Sequence, residues 1–209
     1  MATSLSGRVA VITGAAGRVA ETLAELGATL VVAGPAPGMR SVAGPAPGMR
    51  SVAGPAPGVR QAAGPAPGVR QAADLALTLD LADPMALNVL ATAVEERHGR
   101  IDLLVAAATG TTMAPFESVT AGAERALVEE NFTGVTTVIR RLLPLMGGGS
   151  SIAVLVPEEA RHALDAAMKA AVESLCEALS VELAPRGVGV GAFTEAAAYQ
   201  LWCSGMPSV

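Results

Sequence analysis

A run of apolar, mostly β-branched residues, Val9-Ala10-Val11-Ile12, passes without a break into Thr13-Gly14-Ala15-Ala16-Gly17 and then into a helical pattern with Val19, Leu23 and Leu26 on one face. Few folds accommodate that succession. A strand that is apolar on both faces belongs inside a parallel sheet covered by helices. A glycine-containing turn that leads straight into a helix lets the backbone approach a pyrophosphate, and the helix N-terminus beyond it supplies free N–H groups and the positive end of a dipole. The succession predicts an α/β fold of the dinucleotide-binding kind.

The stretch Ser4-Leu5-Ser6-Gly7-Arg8 followed by Val9 to Gly17 resembles the start of a short-chain dehydrogenase/reductase. The resemblance implies a Rossmann-like three-layer α/β/α sandwich with a mainly parallel sheet. It also implies NADP or NAD as cofactor, with Thr13, Gly14, Gly17 and Arg18 at its phosphates. Family members carry Thr-Gly-x-x-x-Gly-x-Gly here, and this chain departs from that pattern. Without a gap, Arg18 and Ala20 stand in place of the second and third glycines; aligned on the helix end instead, roughly one helical turn of about four residues is missing after Gly17. A second buried strand over 28–33 ends at Gly34, where the family places an acidic residue for the adenosine ribose or a basic one for a 2′-phosphate. Arg18 and Arg40 are the cations available for a 2′-phosphate.

From Ala33 to Ala72 a ten-residue unit, Ala-Gly-Pro-Ala-Pro-Gly followed by Met-Arg-Ser-Val or Val-Arg-Gln-Ala, occurs four times and holds eight of the fourteen prolines in the chain. An α-helix does not tolerate that density, because each interior Pro removes a hydrogen bond and costs ~3 kcal/mol. The segment reads as a polyproline-like or disordered loop inserted where the family has its second helix. It is either a tolerated surface insertion or a docking arm with Arg40, Arg50, Arg60 and Arg70 spaced along it.

The fold pattern resumes with a third strand over 75–80 and a helix from Pro84 to about Arg97. Asp80 stands where the resemblance implies an acidic residue near the adenine ring; a cap of the following helix, shared with Asp83, is the other reading. The stretch Gly99-Arg100-Ile101-Asp102-Leu103-Leu104-Val105 matches the family best. The family's next residues, Asn-Asn-Ala-Gly, line the cofactor channel, and here they are Ala106-Ala107-Ala108-Thr109.

The resemblance further implies four catalytic positions. Asn131, in Asn131-Phe132-Thr133-Gly134, keeps the residue that holds a water in the proton relay. A fifth strand over 151–156 leads to the Ser position, which Val156 occupies. The helix from Ala163 places Asp165 at the Tyr position and Lys169, the only lysine in the chain, at the Lys that holds the nicotinamide ribose and assists the Tyr. A carboxylate is ionised at neutral pH and does not replace a phenol as proton donor unless burial changes that. Spacing suggests an i,i+4 ion pair of Asp165 with Lys169 instead. Glu158, Glu159, His162 and Asp165 cluster within two turns, as acids that complement the helix dipole or as a His-centred base. A sixth strand over 188–193 leads to Glu195-Ala196 in place of the family's Pro-Gly, and the chain stops at Val209, short of a seventh strand.

The 209 residues are read as one domain, interrupted by the repeat and truncated at the C-terminal end. A net charge of −5 with 2% aromatic residues argues against nucleic acid and anionic membrane as partners. Met1 to Gly7 lack the apolar core of a secretory leader. The two cysteines suggest neither disulfides nor a metal site, and a cytoplasmic setting follows. Three readings compete. One is a degenerate, non-catalytic family member with a binding or scaffold role, in a homo-oligomer or a hetero-oligomer with an intact relative. Another is an NAD(P)-dependent oxidoreductase of carbonyls or alcohols that relies on Lys169, Asn131 and an atypical proton donor. The third is an interaction protein that works through its repeat.

Overall fold

The computed structural model describes residues 4–14, 17–34, 73–79, 81 and 83–198. The repeat beyond Gly34, Asp80, and the tail with Tyr199, Trp202 and Cys203 lie outside the described residues.

Strand β1 (Val9–Thr13) is followed by helix α1 (Gly17–Glu25) and strand β2 (Thr29–Gly34). Next come β3 (Leu75–Thr78), α2 (Pro84–His98) and β4 (Ile101–Ala107). Helix α3 (Ala121–Val128) runs through a π-helical turn (Glu129–Thr133) into α4 (Gly134–Leu142). The order then closes with β5 (Met146–Leu155), α5 (Ala163–Leu183) and β6 (Val188–Phe193). The six strands form one sheet in the order β3-β2-β1-β4-β5-β6, and every pairing is parallel. This is the doubly wound arrangement, whose strand order reverses between β1 and β4.

Alternation along the strands builds the two apolar layers. Val9 and Val11 of β1 pack with α2, α4 and α5, through Leu90, Val94, Val138 and Val172 among others. Ala10 and Ile12 face the other way, against Val19, Ala20 and Leu23 of α1. Val11, Ile12, Leu23, Leu90 and Leu104 are fully buried, and each such side chain contributes roughly 1.5–3 kcal/mol of transfer free energy. The predicted strands and helices are all present apart from shifts at their ends. The largest shift is in β5, which starts at Met146 and not at Ser151, because Met146 already pairs with Ile101 across a register irregularity.

The amino edge of the sheet is fastened by polar contacts. Asp102, at the start of β4, accepts from the Val9 amide at 2.8 Å and pairs with Arg8 and Arg100, each at 3.1 Å. Arg100 also donates to the Gly7 carbonyl at 2.7 Å. Asp83 caps α2 by accepting from the Met85 amide at 2.8 Å, with Pro84 behind it at a position that needs no donor.

Candidate functional site

In a doubly wound sheet the place for a ligand is outside the carboxyl ends of the strands, where the strand order reverses. Several of the residues singled out from sequence lie on segments at that end. Thr13 and Gly14 end β1, Val156 follows β5, and α5 brings Asp165 and Lys169 within its first two turns.

Gly14 has a φ of +81°, and a Cβ on it would lie 3.1 Å from the Ala107 Cβ of the neighbouring strand. The positive φ favours glycine, and a side chain there would press on Ala107. Thr13 is buried and donates from its hydroxyl to the Val105 carbonyl at 3.4 Å, which ties β1 to β4. Val156 is buried among apolar side chains, so the Ser position is a core position in this chain.

Asp165 is 4% exposed. One carboxylate oxygen accepts from the Thr112 amide at 2.7 Å and from the Thr112 hydroxyl at 2.9 Å; the other accepts from the Met113 amide at 3.4 Å. A carboxylate can be buried only with such partners, and the first turn of α5 adds the favourable end of a helix dipole. The expected ion pair with Lys169 is therefore not formed: Asp165 faces inward at the third helical position, toward the buried amide and hydroxyl of Thr112 and the part-buried amide of Met113. Lys169, half-buried, stands one turn further on. Met113, next to Thr112, has a φ of 50°, a left-handed conformation that costs a side-chain-bearing residue energy.

Asn131 is 2% exposed and makes a reciprocal pair with Gly110. Its Oδ1 accepts from the Gly110 amide at 2.9 Å, and its Nδ2 donates to the Gly110 carbonyl at 2.8 Å. A Cβ on Gly110 would come within 2.8 Å of the Glu130 carboxyl group and 3.1 Å of Asn131 Oδ1, so a larger residue there would displace the end of the Glu130 side chain. The segment from Gly110 to Met113 is thus held at two points, by Asn131 and by Asp165.

The acidic cluster around His162 does not converge. Glu159 pairs with Arg161 at the surface, His162 makes no cap bond from its side chain, and Asp165 turns inside. At α1, the Arg18 amide donates to Glu195 Oε1 at 2.9 Å. Sequence reasoning passed over Thr112, Gly110 and this bond of Glu195, because their partners lie 53, 21 and 177 residues away. Among the described residues no group of three or more His, Cys, Asp or Glu side chains is arranged to hold a metal ion, and no helix is long and apolar enough to cross a membrane.

Comparison with known proteins agrees with this architecture. The family described as short chain dehydrogenase matches residues 59–197. No curated protein matches the chain. Among solved structures, a short-chain dehydrogenase/reductase from Brucella melitensis described as a glucose/ribitol dehydrogenase is 23% identical, with a TM-score of 0.67 over 92% of this chain and 76% of that one. A short chain dehydrogenase from Burkholderia cenocepacia in complex with NADP is 22% identical, with a TM-score of 0.67 over 92% of this chain and 75% of the other. A short chain oxidoreductase from Pseudomonas aeruginosa, described as containing an atypical catalytic center, is 21% identical, with a TM-score of 0.68 over 91% and 70% of the two chains.

Proposed function

The chain belongs to the short-chain dehydrogenase family, and we propose that within it this protein is a degenerate, non-catalytic member with a binding or scaffold role. The observation that carries the reading is the state of Asp165. Amide N–H groups can only donate, so the Thr112 and Met113 amides fix the Asp165 carboxyl as an acceptor directed at the protein's own backbone. A general acid has to reach the substrate oxygen within hydrogen-bond distance, and Asp165 faces a loop instead. Val156 offers no hydroxyl to polarise a carbonyl, and Asn131 is committed to Gly110.

Lys169 and Asn131 are inherited catalytic positions without a proton donor between them. The partner of such a protein is another copy of itself or an intact relative, in the cytoplasm. The test is NADPH- and NADH-dependent reduction of a panel of ketones and aldehydes by the wild type and by the double variant Asp165→Tyr with Val156→Ser. We expect no turnover above the uncatalysed rate in either, because restoring two side chains leaves the altered phosphate turn in place. Turnover by the wild type would favour the other reading, an oxidoreductase with an atypical donor. Turnover by the double variant alone would mean that the two side chains were all that was lost.

A further inference from the structure

The end of β1 fits one part of a dinucleotide and the start of α1 does not. Gly14, at a φ of +81°, turns the chain out of β1 toward α1, at the place where a dinucleotide-binding turn meets pyrophosphate. A pyrophosphate also needs the donors and the positive dipole end at the start of the next helix. At α1 that end already faces a carboxylate: Glu195 Oε1 accepts from the Arg18 amide at 2.9 Å.

Glu195 is exposed, and the segment that carries it is fixed by its own backbone bonds. Glu195 is the first of the described helical residues 195–198, which follow β6 after Thr194. The Thr194 hydroxyl accepts from the Ala197 amide at 3.3 Å, and the Thr194 carbonyl accepts from the Ala198 amide at 2.9 Å. Ala198 is fully buried in the apolar layer that contains Val19, Ala20 and Leu23 of α1. The segment that carries Glu195 thus shares an apolar layer with the helix whose N-terminus Glu195 meets.

We propose that Glu195 is a built-in anion: it occupies the pyrophosphate position at the N-terminus of α1 and competes there with dinucleotides and other pyrophosphate-bearing ligands. The proposal deepens the non-catalytic reading by identifying cofactor entry as a step that is also closed, and it rests on that reading only for the location of the site. Because its readouts are melting and binding, its failure is distinct from that of the non-catalytic reading, which turnover by the wild type would show.

The experiment compares the full-length wild type, Glu195→Gln and Glu195→Ala. Melting midpoints are measured with and without inorganic pyrophosphate, and NADPH is titrated by calorimetry. Pyrophosphate is expected to raise the midpoint of both variants and to leave the wild type unchanged. NADPH is expected to bind Glu195→Ala about two- to fivefold more tightly than the wild type, the scale of one exposed charged contact at a helix end. Glu195→Gln keeps the acceptor without the charge and should fall between them. Equal responses in all three proteins, whether as binding or as its absence, would overturn the proposal.

Discussion

The two edges of the sheet solve the same problem with opposite histories. At the amino edge Asp102 gathers Val9, Arg8 and Arg100; these contacts tie β1 to β4, and the stretch that supplies Asp102 and Arg100 is the one that most resembles the family. At the carboxyl edge, where a doubly wound sheet takes its ligand, Asp165, Asn131 and Glu195 gather Thr112, Gly110 and Arg18. Among the described residues, Thr13, Thr112, Asn131 and Asp165 are buried polar side chains at that edge, and each is bonded to the protein itself. A ligand edge that has satisfied its own polar groups behaves as a second structural edge.

That equivalence can be broken experimentally, and the largest effect should come from Asp165→Ala. The substitution leaves the Thr112 and Met113 amides without an acceptor, and about 3 kcal/mol of unfolding free energy should be lost in urea titrations. A loss below about 1 kcal/mol would show that the loop does not depend on the clamp. Asp102→Ala should cost less, about 2 kcal/mol at neutral pH, because its surroundings admit water.

The Asp102 effect carries a pH signature. Burial pushes this carboxyl up, but the Val9 amide, Arg100 and Arg8 together outweigh burial and hold it below the ordinary aspartate value. Its contribution is thus complete above the ordinary value and is lost as pH falls through the lower, folded one. Wild type and variant should converge in stability at acid pH, and a constant difference across that range would sink the assignment. The smallest effect should come from Asp83→Ala, which removes the cap of α2 without touching either edge, at about 1 kcal/mol in thermal melts.

Most of the sheet was legible in the sequence because its strands contain apolar runs; the Gly- and Ser-rich first half of β5, Met146 to Ser150, was not. Asp83 and Pro84 announced the start of α2 in two adjacent residues. The carboxyl edge was legible only as a set of absences, Ser and Tyr missing and glycines replaced. What fills those absences acts across the fold. The i,i+4 rule that suggested an Asp165–Lys169 pair describes neighbours on an exposed helix surface, and it is silent about a third helical residue turned toward a loop 53 positions away. Glu195 is further removed still, meeting Arg18 across 177 positions.

The π-helical turn between α3 and α4 works as a phase corrector. Ala123, Leu127, Asn131, Val135 and Ile139 are all buried, a spacing of four that drifts about 40° per step around an α-helix, or about 160° from first to last. The extra residue held in the wide turn over Glu129–Thr133 returns about 100° of that rotation, so one inward stripe persists from α3 to α4. The number of residues in that turn, as much as the amide of Asn131, decides whether the side chain meets Gly110. A chain shortened there by one residue would keep every residue type of the site and lose their alignment.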